Sequence, residues 1–475
     1  MVYFSGIRYE TWGNRLLMHF FHQDILKTKL LESTFHLHAQ PPLFNLFIGA
    51  ILKLYPKDPT QIFHGIYIAF GLLLAISIYL LMSRLGVRDK LALCLTALFI
   101  ISPSCILFEN LLLYTYPVLT LLCLSAVLLV SFLDSGRIRI GIAFFTTISI
   151  IVLTRSLFHI IWMCAIVLLI ILFQPRLWKQ TVIAAIIPFM LAFGVYAKNY
   201  MLFGTFSTST WMGMSFCKMT TFRLPEEKRI ELIREGKLSE LAVLPSYRGL
   251  WYYRDFIYLP TYKETGISVL DIELYPTGGL NYNNLAYISL SQQYMKDGLY
   301  VLRHYPLVFM QGLLRSFKIF FFPSSDWFAM LDETNENRQV LKPYIVPLNF
   351  ILYGQFFNLD DQTFYPDYSW EQYSWPLKKI GMFLAVWVII SFFYGVYVTA
   401  VELQARKQNM PRLVTMLFLL MTIVYVTVIG NFLEVGENHR FRFNIDPFLL
   451  VFFGLFIQDM ASRFTKKDSI PRTVK

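Results

Sequence analysis

Apolar runs separated by short polar turns dominate the chain. Nine stretches read as bilayer-crossing helices: 62–82, 91–108, 111–133, 138–153, 157–173, 181–203, 380–400, 413–432 and 445–457. A crossing helix needs about 20 mostly apolar residues, somewhat fewer where neighbours shelter it. Two further apolar runs, 306–322 and 343–357, are ambiguous; Arg315 and Lys318 interrupt the first, and both are read as interfacial or packed on the membrane. The stretch 40–55 is short, opens on the pair Pro41-Pro42 and would break the alternation of the spans, so it is read as a re-entrant helix. The pattern predicts an all-α polytopic membrane protein in five parts. These are a first outer loop with the re-entrant helix (1–61), a six-helix transmembrane core (62–203), an extracytoplasmic loop domain (204–377), three C-terminal transmembrane helices (378–463) and a basic cytoplasmic tail (464–475).

Composition excludes a soluble globular enzyme. Hydrophobic residues make up 56% and charged residues only 15% of the 475 positions, against roughly 25% charged in soluble domains; the mean hydropathy is +0.51. The net charge of +11 is a topology signal rather than a mark of nucleic-acid binding. Its Lys and Arg gather in short linkers, at Arg84, Arg88 and Lys90, at Arg137 and Arg139, at Arg176 and Lys179, at Arg406, Lys407 and Arg412, and in the tail. If nine spans alternate, all five basic segments share one face, which the positive-inside rule makes the cytoplasm. The large loop then faces outward. So do residues 1–61, with either a translocated short tail or a further helix upstream of residue 1.

Other chemistries leave little trace. The five Cys show no CxxC or metal spacing and read as buried, inert thiols. His19 and His22, or His36 and His38, could touch a metal, but no carboxylate stands at diagnostic spacing and HExxH is absent. There is no Walker loop or dinucleotide fingerprint, and no cleavable signal peptide.

Five strings in order resemble the GT-C glycosyltransferases, which include the protein O-mannosyltransferases and the aminoarabinose lipid A transferase. They are HLHAQPPLFNLFIG (His36 to Gly49), LFENLLLYTYP (Leu107 to Pro117), LTRSLFH (Leu153 to His159), KNYMLFGTFSTSTWMG (Lys198 to Gly213) and GENHRFRFNIDP (Gly436 to Pro447). The resemblance implies a GT-C-like helical bundle in a bacterial inner membrane, its active site at the periplasmic face under the large loop. It implies inverting transfer of a sugar from a polyprenyl-phosphate donor to a lipid, glycan or protein acceptor. No cofactor is identified, and dependence on a divalent metal stays open because GT-C families differ.

That chemistry needs a carboxylate to take the acceptor's proton, cations for the departing phosphate, and groups that orient the sugar. Glu109 lies between two apolar runs at an outward turn; the alternative is a helix-boundary carboxylate facing water. In the first loop Glu10 is the nearest match to the family's acid, with Asp24 and Glu32 competing. Arg155 tips a tight hairpin at headgroup depth, where it meets a lipid phosphate or merely snorkels. Lys198 follows the same argument, and Gln40 either bonds the sugar phosphate or caps the next helix. His439, Arg440 and Arg442 stand in a dense charge cluster with Glu434, Glu437 and Asp446. If that segment is extended, Arg440 and Arg442 point the same way; a self-neutralising salt-bridge network is the alternative. A transporter or flippase of lipid-linked sugars, or a non-catalytic assembly protein on the same scaffold, are the rival functions.

Overall fold

A computed structural model of the protein describes residues 6–11, 18–257, 259, 264–326, 336–353, 386–405 and 409–467. Among the described residues the chain is helical throughout, and the only β pairings are two isolated bridges. Three short helices open it: α1 (Gln23–Thr28), α2 (Leu30–Phe35) and α3 (Leu43–Leu54). The bundle then runs through α4 (Thr60–Arg84), α5 (Asp89–Ile100), α6 (Pro103–Glu109), α7 (Thr115–Ser135), α8 (Ile138–Thr154), α9 (Ile160–Phe173) and α10 (Trp178–Phe203). An inserted unit follows with α11 (Met212–Met219), α12 (Glu226–Arg234), α13 (Leu250–Arg254), α14 (Ser268–Asp271), α15 (Ala286–His304) and α16 (Pro306–Phe320). Last come α17 (Glu336–Tyr353), α18 (Val386–Ala405), α19 (Met410–Leu433), α20 (Asn438–Phe443) and α21 (Asp446–Lys467).

Against the nine expected crossings, five described helices are long and apolar enough to span a membrane: α4, α7, α10, α18 and α19, the α10 span counted from Pro175. A sixth exists if α5 and α6 count as one bent span. The expected straight helix over 91–108 is instead broken by 60°. The reason is local: Ser102 accepts the amide of Cys105 as an N-cap and Pro103 occupies the first turn, so a new helix starts there. Helices α8 and α9 are shorter apolar helices, α3 likewise, and the expected run 445–457 lies within α21. Part of the expected span 380–400, and of the interfacial run 343–357, lies outside the described residues, as do residues 468–475 of the tail.

Helix α7 is the centre of the bundle. Of its apolar window 72% is buried, against 33% for α10, whose Ile183, Ile187 and Leu191 face outward as lipid-facing residues would. It packs on α4, α8 and α19. Polar side chains stitch the helices: Ser149 of α8 donates to the carbonyl of Pro188 in α10 at 2.8 Å, and Trp162 of α9 donates to Thr422 of α19 at 3.3 Å. At Gly204 (φ +68°) the left-handed backbone that ends α10 turns the chain out into the inserted unit.

The inserted unit is clamped to the opening helices through one histidine. His38 is fully buried; its Nδ1 meets Thr210 Oγ1 at 2.9 Å and its Nε2 the carbonyl of Asn283 at 2.8 Å. Asn283 Oδ1 in turn accepts the amides of His38 and Ala39. Burial holds the His38 imidazole neutral, its pKa pushed down to about 3.

Candidate functional site

The ends of α6, α8, α10 and α19 meet the starts of α7 and α9 at one end of the bundle, and the turns there carry most of the candidate residues. The turn 110–114 after α6 is sunk into the bundle. Tyr67 of α4 donates to the carbonyl of Leu113 at 2.8 Å, and Gly71 lies against Glu109 and Tyr116. Gly71 is 11 residues below the start of α4, about 16 Å at 1.5 Å per residue. The floor of the site is therefore a recess, with α4 rising beside it.

Arg155 ends α8 in extended backbone (φ −139°, ψ 121°). Two tyrosines pin its turn: Tyr425 of α19 accepts the amide of His159 and donates to the carbonyl of Leu157, each at 2.9 Å, and Tyr196 of α10 accepts the amide of Ile160 at 3.2 Å. The Arg155 side chain is buried and reaches the face of Phe441 (4.9 Å) and of Tyr114 (5.5 Å). Its Nη1 donates to Asn444 Oδ1, and Asn444 is itself anchored on the carbonyl of Thr115 at 3.1 Å. Nη2 has no hydrogen-bond partner among the described residues.

Arg440 approaches the same Tyr114 ring, at 5.6 Å. It is ion-paired to Glu437 and bonds Thr115 Oγ1 at 3.5 Å. Burial pushes Glu437 up, but Arg440, His19 and Lys218 together outweigh it and hold the carboxyl down at about 2. Burial, then the repulsion of Arg440, lower Arg155 to about 9, so it stays charged at neutral pH. Among the described residues the two guanidiniums share one carboxylate, Glu437. His19 completes it, its Nδ1 3.2 Å from the Tyr114 hydroxyl. Burial first, then Arg440, keep the His19 imidazole neutral, its pKa near 3.

The two carboxylates take different places. Glu10 lies beside the sunken turn through a parallel bridge to Leu111: its amide donates to the carbonyl of Asn110 and its carbonyl accepts the amide of Leu112, both at 2.8 Å. Asn337 of α17 donates to Glu10 Oε1 at 3.0 Å. Burial, and after it Glu336, raise the Glu10 carboxyl to about 7. Glu109, read from the sequence as a carboxylate at an outward turn, is half-buried and points back between α4 and α7. A Cβ on Gly71 would stand 2.4 Å from its Oε1, so any larger residue there would have to displace the Glu109 carboxylate. Its electrostatic neighbours are Cys105 and Tyr116, and it is not among the charges acting on Arg155 or Arg440.

The remaining candidates lie elsewhere. Lys198 Nζ donates to the carbonyls of Phe35 (2.6 Å) and Leu37 (3.1 Å), closing the C-terminal end of α2. Arg442 is saturated by Asp446 (3.0 Å), the carbonyl of Phe320 (2.5 Å) and Ser324 (3.2 Å). The expectation that Arg440 and Arg442 point the same way is corrected here. Residues 438–443 form a helix, in which positions two apart lie about 200° apart. His439 is buried, and its carbonyl accepts from Ser324 at 2.7 Å. Gln40 precedes Pro42, the residue that starts α3 without a side-chain cap, so Gln40 does not cap it.

Sequence reasoning passed over Tyr114, Thr115 and Asn444, and weighed His19 only as a metal ligand. Tyr114 stands within LFENLLLYTYP, so the string held a usable signal. Beside the cluster, Lys218 of α11 is ion-paired to buried Glu434, which burial raises and Lys218 partly restores. Among the described residues no group of three or more His, Cys, Asp or Glu could hold a metal ion. No protein family, curated protein or solved structure matches the chain.

Proposed function

We propose that the protein is an inverting glycosyltransferase of GT-C type, moving a sugar from a polyprenyl-phosphate donor to a lipid, glycan or protein acceptor at the periplasmic face of a bacterial inner membrane. The observation that carries this reading is the Arg155–Arg440 pair, both buried against Tyr114, with an Arg155 guanidinium nitrogen that has no partner among the described residues. A phosphate oxygen offers what Arg155 Nη2 lacks. Two guanidiniums stabilise the charge that grows on the phosphate as the sugar–oxygen bond breaks.

In this reading the acceptor hydroxyl attacks the anomeric carbon from the face opposite the phosphate and surrenders its proton to Glu10. The carrier phosphate departs with the bonding electron pair into the two guanidiniums. A carboxyl near 7 suits Glu10 for this: it is ionised in an appreciable fraction at neutral pH and basic enough to hold the proton. Tyr114 offers its ring to both cations and is itself oriented by His19.

Purified protein in lipid nanodiscs, incubated with radiolabelled polyprenyl-phosphate sugars and a membrane extract as acceptor source, tests this. Consumption of one donor, reduced strongly in Arg155→Met, supports the reading; a wild-type protein that leaves every donor intact ends it. A carrier of lipid-linked sugars is the second reading, favoured by the depth of Glu109 between α4 and α7. It predicts movement of intact donor across a vesicle wall with no consumption.

A further inference from the structure

Tyr247 is the only non-glycine residue at positive φ (+61°) among the described residues. A side chain with a Cβ enters left-handed backbone only against a steric penalty, and such residues persist where surrounding contacts impose them. Here the imposing contacts are four tyrosine hydroxyls. Tyr294 donates to the carbonyl of Leu244 (2.7 Å), Tyr253 to Pro245 (2.9 Å), Tyr282 to Tyr247 itself (2.9 Å) and Tyr287 to Arg248 (2.8 Å). The loop 244–248 is thus held carbonyl by carbonyl in the one conformation that turns Tyr247 toward α11.

What Tyr247 is turned toward is chemically specific. Its hydroxyl lies 2.7 Å from Ser215 Oγ, one turn of α11 before Lys218. Lys218 Nζ stands 5.5 Å from the Tyr247 ring and is paired to Glu434. Trp211 and Tyr282 pack edge-on against the same ring, at 5.7 and 6.1 Å between centroids. Tyr247 also feels the charge of Glu437, the residue ion-paired to Arg440. Glu434 and Glu437, three residues apart, carry the ion pairs to Lys218 and to Arg440, so the Tyr247 ring and the guanidinium pair are joined through one short segment.

We propose that Tyr247, with Trp211, Ser215, Lys218 and Glu434, forms the subsite for the sugar of the lipid-linked donor. The sugar is bonded directly to the phosphate that the two guanidiniums would hold, so it must lie immediately beside them. An aromatic face takes the apolar C–H face of a pyranose, and a charged amine and carboxylate take its hydroxyls. The strained backbone is the means by which the inserted unit brings that ring to the bundle. The assignment rests on the phosphate reading of Arg155 and Arg440, and extends it from the phosphate to the group the phosphate carries.

The test measures binding of undecaprenyl phosphate and of its glucosyl, mannosyl, galactosyl and 4-amino-4-deoxyarabinosyl esters to the full chain in nanodiscs. Wild-type protein is expected to prefer one sugar ester over the bare carrier by about tenfold. Tyr247→Gly, which relieves the backbone and removes the ring, should bring the two within about twofold while leaving the affinity for the bare carrier unchanged. A preference that survives Tyr247→Gly overturns the proposal, as does a wild-type protein that binds bare and sugar-bearing carriers equally. Should Tyr247→Gly also lose the bare carrier, Tyr247→Phe decides. It keeps the packing but breaks the bond to Ser215, and is expected to lose at least about threefold of the preference; an undiminished preference overturns the proposal. Failure of the underlying reading looks different: no carrier binds, or Arg155→Met leaves bare-carrier affinity untouched.

Discussion

Arg155 and Arg440 share one ring: their guanidinium carbons lie 5.5 and 5.6 Å from the centroid of Tyr114. Two like charges buried at such range repel, and Glu437 neutralises only one of them. An anion entering beside Arg155 would offset that repulsion, as the proposed phosphate site requires.

Arg155→Met should weaken binding of undecaprenyl phosphate by about 10- to 100-fold, the worth of one or two charge-assisted hydrogen bonds. Titration of the lipid into protein in nanodiscs checks it. An affinity within twofold of wild type would remove Arg155 from the phosphate site.

Arg442→Met should behave in the opposite way. All three Arg442 nitrogens are already bonded within the protein, and the substitution strands the buried Asp446 carboxylate. Breaking a buried pair costs about 3–5 kcal/mol, so thermal unfolding in detergent should occur at markedly lower temperature. Any variant that stays folded should keep its lipid affinity.

Glu10 makes the pH dependence specific. Its native carboxyl is raised from 4.5 to about 7, first by burial and then by Glu336. The folded state thus holds the proton more tightly than the unfolded chain. The stability this confers is complete below about pH 4.5 and is lost as the pH rises to about 7. Melting temperature should fall over that interval in wild type relative to Glu10→Gln. Sugar transfer should run the other way, rising about tenfold per pH unit and levelling near neutrality, because only the ionised carboxylate accepts a proton. Equal pH profiles for wild type and Glu10→Gln would exclude Glu10 as the base.

Lys198→Met should loosen the first helices without touching the phosphate site. Lys198 closes the carbonyls of Phe35 and Leu37, and no residue of the guanidinium cluster contacts it. Limited proteolysis within residues 23–40 should speed up several-fold, with lipid affinity unchanged.

The proposed orientation is tested by Glu235→Cys, an exposed position just beyond α12. An impermeant thiol reagent should label it in intact cells whose outer membrane has been permeabilised. Labelling only after lysis would invert the assignment of faces.

The apolar runs made α4, α7, α10 and α19 legible, since each is one long segment whose burial in lipid or neighbours follows from composition alone. The break at Ser102 and Pro103 was equally written in the chain, as an N-cap followed by a first-turn proline, but the unbroken apolar character of 91–108 hid it. Arg155 and Arg440 could be singled out because charge beside a span is conspicuous. Their common partner Tyr114 could not, because convergence of three distant segments is a tertiary fact. Nor does the segment 438–443 announce its helix, which is what separates Arg440 from Arg442. At Tyr247 nothing local signals left-handed backbone: the four hydroxyls that impose it come from residues 253–294.

The clamp at His38 bears on the order of biogenesis. Its partners Thr210 and Asn283 are synthesised long after it, with helices α3 to α10 intervening. Until the ribosome has passed Asn283, the imidazole lacks at least one of its two hydrogen-bond partners, and the clamp on the opening helices is incomplete. The entrance to the recess is consequently the last part of the first half to settle, closing only when a segment emerging much later arrives to lock it.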